Sequence, residues 1–149
     1  KRMLGTGAAT NSFGDIERAA GFLVVGANPL ENHPVVGARI RQQVRRGARL
    51  VVIDPRRTAL AAIADVHLAP RPGSHMPLLN ALAHVLLVEG LVDRAFLEAR
   101  VDGLDAFIES IAAWTPERAT ELTTRALRLT TTADELGWCA RMSRAGTLD

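Results

Sequence analysis

The chain has 149 residues, 48% hydrophobic and 23% charged, with 12 glycines, 7 prolines and one cysteine. This ordinary globular balance excludes collagen-like, disordered and disulfide-rich classes, and the length suits one domain with a real core. Net charge is +2, and Lys1 is the only lysine, so nearly every cation is an arginine. The apolar runs are too short and too often broken by charge for a membrane-spanning helix, which needs about 20 residues. Cys139 alone can build neither an internal disulfide nor a Cys-rich zinc or iron–sulfur site. The start at Lys1-Arg2-Met3 reads as part of a longer polypeptide.

In chain order, Phe22-Leu23-Val24-Val25 is a continuous apolar run ending in Gly26, the pattern of a strand buried on both faces. Residues 27–34 are a turn rich in Asn and Pro. A helix is predicted from Pro34 to Arg46, with Val36, Ile40 and Val44 on one face and Gly47 as its stop. Leu50-Val51-Val52-Ile53 is a second buried strand, ended by Asp54-Pro55. A short helix over 58–63 leads to a third strand, Val66-His67-Leu68. Strands alternating with helices predict parallel units with right-handed crossovers. After the loop 70–75, helices are predicted at 76–89, 93–100, 104–113 and 116–123. No clear period follows Thr124. The fold class is therefore α/β, a Rossmann-like three-layer domain. It has a parallel sheet, helices on both faces and a helical C-terminal part.

In an open parallel sheet, ligands bind beyond the carboxyl ends of the strands. Three loops leave from that edge: residues 26–34, residues 54–57 and residues 71–75. The first precedes a helix N-terminus, whose free N–H groups favour phosphate. Asp54 stands where nucleotide-binding folds place a carboxylate for ribose hydroxyls, and Arg56 and Arg57 suit a phosphate. The combination describes a nucleotide or dinucleotide site. It is not an ordinary nicotinamide site, because no G-x-G-x-x-G follows a strand: Gly5-Thr6-Gly7 lacks the third glycine and the preceding strand.

The remaining candidates have plainer readings. His33, His67, His75 and His84 have no metal-ligand spacing, so no metal site is expected. His67 and His84 read as structural; His33 and His75 lie in ligand-side loops. Cys139 and the serines lack a nucleophile context. Trp114 and Trp138 read as packing residues, and the cluster Arg39, Arg41, Arg45, Arg46 and Arg49 as a solvated face. No aromatic interleaving accompanies those arginines, so no nucleic-acid partner is expected.

Several ordered motifs carry a family resemblance. Gly26-Ala27-Asn28-Pro29-Leu30-Glu31-Asn32-His33-Pro34-Val35 is followed by Ile53-Asp54-Pro55-Arg56-Arg57 and Ala64-Asp65-Val66-His67-Leu68. Arg71-Pro72-Gly73 and Leu78-Leu79-Asn80-Ala81-Leu82 come next. Together they resemble the molybdopterin oxidoreductases, and within them the catalytic alpha subunits of formate dehydrogenases, from about Leu4 to Leu122. Residues 1–122 would then be a dinucleotide-binding domain of a larger subunit, with 123–149 a divergent tail or a change of reading frame. The resemblance implies a bis(molybdopterin guanine dinucleotide) cofactor carrying molybdenum or tungsten.

Carried over residue by residue, Gly26, Asn28, Pro29, Glu31 and Asn32 match the loop at the pyrophosphate and pterin side. Ile53, Asp54, Pro55 and Arg56 match the motif that holds the guanosine, and Pro72, Gly73 and His75 match the third loop. His75 stands where the family usually has Asp or Asn. The metal-binding cysteine or selenocysteine with its histidine, the iron–sulfur region and the second dinucleotide domain would lie elsewhere in the parent. No catalytic residue is expected in this chain, and the chain by itself is expected to be inactive. The expected partners are the remaining domains of the catalytic subunit and electron-transfer subunits. The expected location is cytoplasmic. The alternatives left open are a stand-alone module for a guanine or nicotinamide nucleotide, and a piece of a nitrate reductase-like relative.

Overall fold

The computed structural model of the chain describes residues 11–123. Gly5-Thr6-Gly7, Trp138, Cys139 and the expected tail from Thr124 on lie outside them. The apolar runs form three parallel strands, β1 (Gly21–Val25), β2 (Arg49–Ile53) and β3 (Val66–Leu68), in the order β1-β2-β3. Val24 pairs with Val52, and Val52 with His67. The helices are α1 (Phe13–Arg18), α2 (Pro29–Asn32), α3 (Pro34–Arg45), α4 (His75–Val88), α5 (Arg94–Arg100), α6 (Leu104–Ile111) and α7 (Pro116–Thr123).

Because strand side chains alternate between faces, the sheet builds two cores. On one face Val24, Leu50 and Val52 pack with Ile40 of α3 and with Leu60 and Ala61, joined by Ile16 of α1 and Leu30 of α2. On the other, Ile53, Leu68, Val25 and Val66 pack with Leu78 and Leu79 of α4. Helices therefore cover both faces, as the sequence predicts, and β2 is the buried centre of the sheet. The predicted α3 stripe is correct: Ile40 is buried, with Val36 and Val44 packed beside it. β1 is an edge strand among the described residues, and Leu23 on it remains 50% exposed.

Three local differences from the sequence reading have physical causes. The helix expected over 58–63 shrinks to one 3-10 turn, Ala61–Ile63, started by the Thr58 hydroxyl accepting from the Ala61 N–H at 3.2 Å. Six residues return too little for the cost of nucleating an α-helix. The turn expected at 27–34 contains a single helical turn, α2, because Pro29 sits at its first position and Asn28 O accepts from both Glu31 and Asn32 N–H at 3.0 Å. α1 was not predicted at all. Its first turn is held by Asp15, whose Oδ2 accepts from the Ser12 N–H at 2.7 Å and the Ser12 hydroxyl at 2.8 Å.

Those bonds, the Ser12 backbone N–H first, together with Arg18 lower the Asp15 pKa to about 2. A carboxyl depressed in the folded state contributes stability above its unfolded pKa and loses it as pH falls through the folded value. The cap of α1 is therefore expected to hold at pH 4 and to be lost as pH falls towards 2. A carbon-detected titration of the Asp15 carboxyl checks this; a midpoint near 4 would contradict it.

Candidate functional site

The carboxyl ends of the strands gather the three loops singled out in the sequence. β1 ends at Gly26, which takes φ +57° and donates its N–H to Ile53 O at 2.8 Å, so the first loop starts fixed to the end of β2. Left-handed φ suits glycine, which has no Cβ. An added Cβ here would lie 3.8 Å from His75 Nε2, which brings the start of α4 against the end of β1. α3 leaves β1 on one face of the sheet and α4 packs on the other. The loops leave from the carboxyl ends of the strands, the edge at which open α/β sheets bind ligands.

Two buried polar atoms in this region have no hydrogen-bond partner, Asn28 Oδ1 and His75 Nε2. Asn28 is only 5% exposed and its side chain does not cap α2. Buried polar atoms normally find partners, so unpaired ones are unusual and call for a reason. Pro29 is buried beside Asn28, whereas Glu31 and Asn32 are exposed on α2. Among the described residues no side-chain hydrogen bond joins Glu31 or Asn32 to the other two loops.

The second loop is more tightly built. Asp54 is 3% exposed; its N–H donates to Leu68 O at 3.1 Å, and its Oδ1 accepts from the Arg56 N–H at 2.7 Å. Its Oδ2 has no donor among the described residues. The Arg56 guanidinium is largely exposed, with Nε 3.7 Å from Asp54 Oδ1. Arg57 is exposed alongside. Ile53, by contrast, is 1% exposed and packs on Leu68 and Leu78, so only its backbone reaches the loops.

In the third loop, Pro72 and Gly73 are exposed and Gly73 takes φ +87°. Ser74 closes the turn, its N–H donating to Arg71 O at 3.0 Å and its hydroxyl at 2.7 Å. Arg71 in turn anchors the loop to the end of α7, with Nη2 donating to Leu122 O at 2.8 Å. His75 is not a loop residue; it opens α4.

The arginines expected to form a solvated face divide. Arg39 lies over the Phe13 ring at 5.3 Å and pairs with Glu17, which ties α3 to α1. Arg49 pairs with Asp65 at 2.6 Å. Burial acts to raise the Asp65 pKa, but the Leu50 N–H and Arg49 outweigh it and lower it. Arg41, Arg45 and Arg46 are exposed. No three His, Cys, Asp or Glu side chains come together as metal ligands among the described residues.

Residues 4–142 match the family model for molybdopterin oxidoreductases. The chain belongs to the molybdopterin oxidoreductase family. It is 41% identical over 118 residues to the F420-dependent formate dehydrogenase subunit alpha of Methanocaldococcus jannaschii, covering 79% of this chain and 18% of that subunit. It is 37% identical over 119 residues to a nitrate reductase of Symbiobacterium thermophilum, covering 73% of this chain and 16% of that protein. The solved acetylene hydratase of Pelobacter acetylenicus superposes with a TM-score of 0.73 at 27% identity, over 87% of this chain and 17% of that one. The chain thus spans under a fifth of the length of these molybdopterin-family relatives. Membership implies a molybdopterin cofactor with molybdenum or tungsten. No helix among the described residues is long and apolar enough to cross a membrane.

Sequence reasoning passed over the packing role of Gly37 and the particular contact that His67 makes. Gly37 lies inside α3, where an added Cβ would stand 2.7 Å from Leu30 N and Cα. The signal was present, since a glycine within a helical pattern usually has a packing reason. His67, read as structural, donates from Nε2 to Asp54 O at 2.9 Å. Only the pairing of β2 with β3 reveals that contact.

Proposed function

We propose that this chain is the dinucleotide-binding segment, residues 1–122, of a formate dehydrogenase-like catalytic subunit. In this reading it holds one of two molybdopterin guanine dinucleotides through the loops that leave β1, β2 and β3. The observation that carries the reading is the pair of buried polar atoms without a partner at one sheet edge, Asn28 Oδ1 and His75 Nε2, beside the nearly buried carboxylate of Asp54. Gly26 adds a left-handed turn at the start of the first loop, a conformation that a side chain would strain.

The bound cofactor would supply two-electron redox chemistry at its metal. This chain's own residues bind and orient. Asp54 Oδ2 accepts from ribose hydroxyls or guanine N–H groups, and the exposed guanidiniums of Arg56 and Arg57 meet phosphate charge. Asn28 and His75, with Gly26, Pro29, Glu31 and Asn32, border the pyrophosphate. Pro72 and Gly73 shape the far wall. No residue of this segment acts on substrate, so electrostatics and positioning are its contribution. The parent would oxidise formate to carbon dioxide on the cytoplasmic side and pass electrons through iron–sulfur clusters to partner subunits. Formate is favoured by the 41% identity to a formate dehydrogenase subunit; the 37% identity to a nitrate reductase supports nitrate as the second reading.

Calorimetric titration of the 149-residue chain is expected to give binding heat with GDP and none with NADH or NADPH. Binding of the nicotinamides with no response to GDP would overturn the reading in favour of a general nucleotide module. In a separate assay the chain is expected to be silent in formate-dependent dye reduction; turnover there would contradict the absence of reacting groups.

A further inference from the structure

The end of β2 is held by a side chain doing the work of a strand. In the parallel pairing of β2 with β3, Ile53 lies opposite Leu68, so Asp54 falls opposite Ala69. A parallel ladder bonds such a residue to the neighbours on either side of its opposite number, accepting from one N–H and donating to the other C=O. Asp54 N–H duly donates to Leu68 O at 3.1 Å. Its carbonyl should then accept from residue 70, but that residue is Pro70, which has no N–H. The missing donor is supplied by His67, whose Nε2 lies 2.9 Å from Asp54 O. A carbonyl only accepts, so Nε2 carries the proton.

We propose that His67 is a positioning residue for nucleotide binding: by replacing the donor absent at Pro70, it fixes the peptide of Asp54 and thereby the turn that presents the Asp54 carboxylate and Arg56. The proposal rests on the nucleotide reading given above. Both backbone groups of Asp54 are tied to β3, so its carboxylate enters the Asp54-Pro55-Arg56 turn in a single orientation. The bond from Arg56 N–H to Oδ1 at 2.7 Å then leaves Oδ2 free to accept from a ligand. Without the imidazole donor the Asp54 carbonyl is unpaired, and its peptide can rotate at the cost of the turn.

The test compares the wild-type chain with His67→Phe, which keeps a ring and removes the donor, and His67→Gln, whose amide nitrogen restores one. GDP is the probe, and amide exchange at Arg56 and Tm are read alongside. His67→Phe is expected to raise the GDP Kd about tenfold, the scale of one well-made hydrogen bond, and to accelerate Arg56 exchange. His67→Gln is expected to stay within about threefold of wild type on the same scale. A merely structural histidine would lower Tm and leave both the GDP Kd of the folded protein and Arg56 exchange unchanged; that result overturns the proposal. Failure of the wild-type chain to take up GDP would overturn the nucleotide reading instead. It is distinguishable because Arg56 exchange is measured without ligand.

Discussion

Replacing Gly37 with alanine is expected to destabilise the chain by about 2 kcal/mol, although alanine is the better helix former by about 1 kcal/mol. Propensity favours the substitution and packing opposes it, so the sign decides which effect wins. An alanine Cβ would stand 2.7 Å from Leu30 N and Cα and 2.8 Å from Pro29 C. All three are backbone atoms of α2, which cannot rotate away as a flexible side chain would. The only relief is for α2 and α3 to separate. Separation would move Pro29 and Leu30, shift Asn28 beside them, and open the core that Leu30 helps to cover. Urea unfolding should show a lower midpoint at unchanged m. Chemical shifts should move most over residues 28–33. A stabilised Gly37→Ala chain would mean that α2 is not seated on α3 as described.

Truncating Ile53 to alanine is expected to cost about 3 kcal/mol, the usual range for a large aliphatic side chain removed from a core that cannot collapse. Ile53 is the last residue of β2 and packs with Leu68 of β3 and Leu78 of α4. Its carbonyl also holds Gly26. The cavity would therefore open beneath the place where the first two loops begin, and the loss of stability should be accompanied by weaker GDP binding. Val88→Ala is the control, because Val88 is 72% exposed on α4 and should change stability by no more than about 0.5 kcal/mol. Equal effects at the two positions would contradict the assignment of Ile53 to the core.

Much of this architecture was legible in the sequence because its signals are local. The two apolar runs ending at Gly26 and Asp54 were readable as strands, but only β2 is buried on both faces; β1 lies at the edge with Leu23 half exposed, which a run of apolar residues does not reveal. The stripe of Val36, Ile40 and Val44 marked the inward side of α3. Asp54 was recognisable from its place at the end of the second strand. Asn28 was singled out by the family motif alone; that it is buried with its oxygen unpaired depends on the packing of the turn and is not written in the sequence. Ile53 belongs to the same motif as Asp54, but alternation along the strand turns its side chain into the core. His67 was beyond a linear reading. Its role depends on the register of a three-residue strand and on a proline whose missing N–H matters only when β3 lies beside β2.

The central claim is that one edge of the sheet, built from the three loops, receives a guanine dinucleotide. Mapping GDP onto the isotope-labelled 149-residue chain by amide chemical-shift perturbation tests it most directly. The account predicts that the largest shifts fall at Gly26, Asn28, Asp54, Arg56 and His75, with α5, α6 and α7 unmoved. Perturbations confined to those three helices, or none at saturating GDP, would contradict it.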